Sequence, residues 1–382
     1  MRFIAILALL VAVPCAALSA QGRLIHPTPE YLRSLRTTSE VGRGRLVSGD
    51  ATLDGLARRL RSASRLDSIG SLDGDESTVM GRITDATVSR DGRVFVLDAE
   101  NQTIRVFARD GRALAPIGRR GSGPSDLRSP VAIWVTGDTT LTVVDAALGI
   151  KRFMLRDARQ DPAILTLPFS FTHACQSGPA IFALSSGFAQ TSSTRDAEIE
   201  PIIRQLRNDG TIVRAFGSSY PSPWALVRRN MSEGVLACGA NGRVTGALSK
   251  IPVVRGFDSS GAERWSTRIS DFTVGQTVEK FTSRGERSIG LDETRPDNSF
   301  IRRIVSVGPR FVLVQVGHIT AASIRSGELW ASLDSYLIDV EDGRAVFVSA
   351  TLPLAGAMTE DAFVGFENEP YPRVIRLRIA RP

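Results

Sequence analysis

Through most of this chain, apolar residues alternate with polar ones in short runs, and glycine-bearing polar turns separate the runs. The clearest case is ITDATVSRDGRVFVLDAENQTIRVF (83–107), where Asp91-Gly92 divides two alternating segments. Alternation of this kind predicts strands with one buried face. Asp-Gly between them predicts a tight hairpin, because glycine accepts the positive φ such turns need. A second hairpin phrase follows and recurs, as VFARDGRALAPIG (106–118), QLRNDGTIVRAFG (205–217) and GFDSSGAERWSTR (256–268), and more loosely as LIDVEDGRAVFVS (337–349). Its turn glycines are Gly111, Gly210, Gly261 and Gly343, and a further, irregular copy lies in KRFMLRDARQDPAILTL (151–167).

Two hairpins per unit give a four-stranded antiparallel sheet, and the units repeat at roughly fifty residues, a period that marks radial stacking as propeller blades. Counting starts near 83, 130, 171, 234, 301 and 359 predicts an all-β, six-bladed β-propeller. The last piece, 361–382, has strand for only three. SRLDSIGSL (64–72) ends in Ile69-Gly70, as the outer strands end in Ile117-Gly118 and Phe216-Gly217, so it is expected to complete the last blade and close the ring. Closure would remove a free sheet edge.

At VFVLDAENQTIRVFARDGRALAPIGRRGSGPSDLRSPVAIWV (94–135), with Asp98 and Asn101 in the turn between strands, the chain resembles the NHL-type six-bladed β-propellers, especially the exported bacterial ones. PYPRVIRLRIA (370–380) resembles the last blade of that group. The likeness is specific over about 80–155, only patterned through 171–268 and weak in 273–350. It implies an interaction scaffold more often than an enzyme, and it names no ligand. The Gly-rich IGRRGSGPSDLRSP (117–130) is read as the crossing from one blade to the next. A phosphate loop would need a following helix and a Gly-Lys-Ser/Thr end, whereas a strand, SPVAIWV, follows.

The ends define the compartment. Residues 1–20, MRFIAILALLVAVPCAALSA, pair a charged start with an apolar centre and a small-residue exit, which predicts a signal peptide cleaved after Ala20. The apolar run is far short of the ~20 residues needed to span hydrocarbon, and no later segment is apolar enough, so an exported protein, periplasmic or secreted, is expected. Residues 21–63 form a leader in which Leu53, Leu56, Ala57 and Leu60 share one helical stripe, expected to pack across the propeller rather than on a membrane. The propeller takes 64–382, with a polar insertion at about 273–299.

The net charge of +7 comes from 47 basic residues, of which only three are lysines. No basic block carries interleaved aromatics, so nucleic acid is not an expected partner. Candidate chemistry sits where the first strands of the blades would converge: Asp85, His173, Arg303, Glu360 and Asp361. Carboxylates there could hold Ca²⁺, but the six to eight oxygens it prefers are not in view, and no cofactor is expected. His173 and His318 are the only histidines of the propeller, short of the three that a catalytic zinc usually takes. Asp98 and Asn101 read as turn residues that bond their own backbone. Cys175 and Cys238 fall at equivalent places in consecutive blades, and the ~10 Å spacing of packed sheets favours two buried free thiols over a bridge. No motif supplies a nucleophile with its base. The expected role is non-catalytic binding of a protein, peptide or glycan at a propeller face; the alternative is a metal-dependent hydrolase or lyase at the channel mouth.

Overall fold

The computed structural model describes residues 25–381, apart from 138, 157–158, 161–163, 168, 170, 186–200, 282–286, 293, 329 and 360. The expected signal peptide and the candidate ligand Glu360 therefore lie outside the described residues. Within them the chain folds as five four-stranded antiparallel sheets and one five-stranded sheet whose fifth strand is parallel, with one smaller three-stranded sheet beside them. The fold is all-β and propeller-like.

The first strands of the six sheets are Ile83–Val88, Pro130–Thr136, Phe171–Ser177, Gly234–Cys238, Asn298–Val307 and Leu354–Met358. Four of the six begin where the hydrophobic pattern places them; the last two begin a few residues earlier. Sheets one to five run in chain order from first to fourth strand. The sixth takes its fourth strand from near the front of the chain: Ser64–Ile69 pairs antiparallel with Arg373–Arg378. The Asp-Gly turns have the conformation the sequence predicts, with φ of +87° at Gly92 and +88° at Gly111.

Because each sheet is apolar on both faces, the core is divided into slabs between neighbours. Phe95, Leu97 and Ile104 of sheet one meet Ile133, Leu141 and Phe153 of sheet two. Similar slabs follow between later neighbours, and one joins Phe366 and Val374 of sheet six to Val94 and Phe107 of sheet one. Each fully buried large apolar side chain contributes about 1.5–3 kcal/mol.

The Gly-rich stretch after Ile117 is a connector, as expected. A parallel bridge joins Arg120 to Leu127, and the next sheet begins at Pro130. Lys151 is buried beneath it, with Nζ donating to the carbonyls of Gly123 and Asp126.

The leader is more extensive than its sequence suggests. Helix α1 (Pro29–Ser34) is capped by Thr28, whose side chain accepts from Tyr31 N. Ser39–Val41 then joins sheet four as a fifth strand, parallel to Glu263–Ile269. Helix α2 (Ala51–Arg61) is capped by Asp50 and buries Leu53, Ala57 and Leu60 against sheets five and six. The expected insertion at 273–299 contains the hairpin strands Thr277–Phe281 and Arg287–Leu291, and Ile25–His26 pairs with the first of them.

Candidate functional site

The first strands of all six sheets line one cavity of about 550 Å³. Each runs at the same end of its sheet, so side chains far apart in sequence converge there. Asp85, His173 and Arg303 all line it. Asp361 does not. It sits in the turn before Ala362–Glu367, where its carboxylate meets Arg381 at 3.3 Å.

Asp85 is almost fully buried, and both of its carboxylate oxygens are engaged. One accepts from Ala86 N at 2.9 Å and pairs with the Arg303 guanidinium; the other accepts from Ile133 N, also at 2.9 Å. Arg303 further donates through Nε to Ala355 O at 2.8 Å and lies over the Phe366 ring. One ion pair thus ties sheets one, two, five and six together. A cation entering here would compete with Arg303 for a carboxylate that three donors already satisfy. Among the described residues no group of three or more His, Cys, Asp or Glu is arranged to hold a metal.

His173 is half-buried on the wall, and its Nδ1 has no hydrogen-bond partner. Burial lowers its pKa to about 4; the Arg303 cation adds to the effect and Asp85 opposes it. The imidazole is therefore neutral at ordinary pH, with a ring nitrogen unsatisfied. Next to it, Trp134 Nε1 donates to Gln176 Oε1 at 2.8 Å, and Gln176 Nε2 donates to Gly178 O. The wall carries hydrogen-bonding groups and little uncompensated charge.

Cys175 and Cys238, on neighbouring first strands, are joined by a disulfide with a Cα–Cα distance of 5.6 Å. This corrects the expectation of two free thiols. The ~10 Å spacing holds where two sheets pack face to face, but first strands around a shared cavity approach more closely than the middles of their sheets.

Asp98 and Asn101 are structural, as the turn chemistry predicts. Asp98 accepts from Gly81 N, Arg82 N, Asn101 N and Asn101 Nδ2, which fixes both its own turn and the incoming chain. Asp145 does the same one sheet on, accepting from Arg128, Ser129, Ala147 and Leu148 amides.

One cluster escaped the sequence reading. Ser299 Oγ lies 2.8 Å from His318 Nδ1, and His318 Nε2 lies 3.0 Å from Asp334 Oδ2. Arg43 of the leader donates to the same oxygen at 2.6 Å, as does the Tyr336 hydroxyl at 3.1 Å. Burial pushes the Asp334 carboxyl upward, but hydrogen bonds from His318 and Arg43 outweigh it and hold its pKa low. Burial and the adjacent Asp334 charge push the Tyr336 hydroxyl up. The row has the composition of a hydrolytic triad. Ser299, however, is only 1% exposed, and its oxygen also accepts from Thr273 N. In this setting the row clamps the leader to sheet five. The only early signal was that Ser299 and His318 face each other in one long hairpin.

No protein-family model matches the chain, and no curated protein matches it. Solved structures do. A protein from Bacteroides fragilis NCTC 9343, provisionally described as exported, matches over 90% of this chain and 99% of its own at 12% identity, with a TM-score of 0.55. Virginiamycin B lyase from Staphylococcus aureus matches over 82% of this chain and 99% of its own at 12% identity, with a TM-score of 0.42. At these identities the first likeness speaks for the fold alone, and the second carries no argument. Among the described residues no helix is long and apolar enough to cross a membrane.

Proposed function

We propose that this is an exported, six-bladed β-propeller of NHL type that binds a peptide or glycan non-catalytically at the cavity shared by its first strands. The observation that carries the reading is the state of the cavity's ionisable groups. Asp85 is neutralised by Arg303 and two amides, and His173 is held uncharged with a free ring nitrogen. Such a wall suits recognition of an uncharged polar ligand through hydrogen bonds and aromatic contact with Trp134. It offers neither an activated nucleophile nor a coherent donor set for a metal.

Ring closure is part of the proposal. It is supported by Gly356 of sheet six, where a Cβ would stand 2.7 Å from the Ala86 Cβ of sheet one. Asn368 supports it too, accepting from Ile83 N and donating to Ile83 O. Export rests on residues 1–20, and amino-terminal sequencing of the secreted protein should begin at Gln21.

The binding reading is tested by screening purified protein on peptide and glycan arrays, then repeating the hits with His173→Ala and Trp134→Ala. Both variants should stay folded and lose the hits. Stoichiometric calcium or zinc in purified protein, lost in His173→Ala, would instead favour the hydrolase or lyase reading.

A further inference from the structure

A second cavity, of about 400 Å³, lies between sheets three and four and shares Leu236 with the first strands' cavity. Its origin can be traced in the repeat. In sheets one, two and five a valine of the second strand faces back and fills the slab against the preceding sheet: Val96, Val143 and Val314. The register places Gly246 at the same point in sheet four: it pairs with Leu236 as Val96 pairs with Ala86 and Val143 with Ile133. The Leu236 side chain leans over Gly246, whose Cβ would stand 2.9 Å from it, and the cavity beside them is walled by apolar groups such as Leu184, Ile203, Leu236 and Phe257. An open apolar space in a slab core costs stability, a cost that a bound apolar ligand would offset.

The leader forms one side of the cavity. Tyr31 and Leu35 line the gap, and Arg36 stands at its rim, its exposed guanidinium without a partner among the described residues. Arg255, also on the lining, is bound to Glu263 at 2.7 Å, so these two charges cancel. The rim is left with one uncommitted cation above an apolar pocket. Ser219, on the wall and 2% exposed, adds a hydroxyl with no hydrogen-bond partner.

We propose that this cavity binds a single-chain amphiphile with one anionic end, a medium-chain carboxylate in kind. The alkyl chain lies among Leu184, Ile203, Leu236 and Phe257, and the carboxylate meets Arg36. The volume lies within the ~300–1,000 Å³ of small-molecule sites, toward the small end.

Isothermal titration of the purified protein with dodecanoate, and separately with dodecanol, tests the assignment. One dodecanoate should bind per chain, more tightly than dodecanol. Gly246→Val pushes the Leu236 side chain into the cavity from the strand, and Leu35→Trp fills it from the leader. Each should weaken dodecanoate at least about tenfold. Arg36→Gln should weaken dodecanoate and leave dodecanol unchanged. Thermal melts identify any variant that has failed to fold, and two independent fillings keep the test alive if one does. Wild-type protein that ignores dodecanoate into the millimolar range would overturn the site, as would folded filled variants that bind it normally. Equal affinity for dodecanol would overturn the anionic end.

Discussion

Asp85 and Arg303, 218 residues apart in sequence, form an ion pair on the wall of the shared cavity with both side chains largely buried. Removing one partner leaves the other as an uncompensated buried charge, the costly case for a buried pair. Asp85→Ala should therefore destabilise the protein by about 3–5 kcal/mol in urea unfolding. The double variant with Arg303→Met should recover part of that loss. Additive single and double effects would mean that the pair does not couple sheets one and five.

The disulfide between Cys175 and Cys238 spans a sequence separation of 63 residues. By chain-entropy reckoning, a cross-link over a loop of that size stabilises by about 4 kcal/mol. Thiol titration of the unfolded, unreduced protein should find no thiol beyond Cys15, if that residue is still present. The Cys175→Ser/Cys238→Ser variant should unfold at a clearly lower denaturant midpoint. An unchanged midpoint would deny the bridge a structural role.

What could be read from the sequence was what is encoded locally. Asp91-Gly92 and Asp110-Gly111 announce their hairpins because a positive φ must be met by the turn residue itself. Four sheets start at the residue the alternation gives. Ile69-Gly70 was recognisable as an outer-strand ending, because it repeats Ile117-Gly118. Relations that exist only between distant elements could not be read in this way. Ser39–Val41 carries too short a pattern to announce a fifth strand, and its partner, Glu263–Ile269, is over two hundred residues away. The Ser299–His318–Asp334 row depends on strand register and on Arg43 arriving from the leader. The cysteine pairing is not legible locally, because the spacing of sheets packed face to face does not hold where the first strands converge. Of the candidate cavity residues, Asp85, His173 and Arg303 came together because each lies on a first strand. Asp361 did not, because it belongs to the turn beyond its strand.

His173 makes stability sensitive to mild acid. Its imidazole titrates near 4 in the folded protein, against 6.5 ordinarily, because burial and Arg303 disfavour the charged form. The unfolded chain thus binds a proton that the folded chain refuses over that interval. Stability from this source is complete above pH 6.5 and is lost as the pH falls toward 4. Its size is at most about 3 kcal/mol, less wherever solvent reaches the ring. Urea midpoints measured across this range should fall more steeply for the wild type than for His173→Asn. Parallel profiles would show that the group is not held neutral.

The pairing of Ser64–Ile69 with Arg373–Arg378 joins the front of the chain to its end, and two features make it more than an edge contact. Ile69 is 7% exposed and packs in the slab that holds Val94 and Phe107 of sheet one. Arg376 engages both carboxylate oxygens of Asp67, and its Nη1 donates to Arg109 O of sheet one at 2.6 Å. The strand therefore fastens sheet six internally and seats it against sheet one. Ile69→Asp places a charge in that slab and should cost about 3 kcal/mol or more. It should also open both ends of the chain to limited proteolysis, with early cuts before residue 80 and after residue 350. Arg376→Ala should act in the same direction more weakly. If Ile69→Asp unfolds at the wild-type midpoint and resists protease equally, the strand is a passenger and the fold does not depend on it.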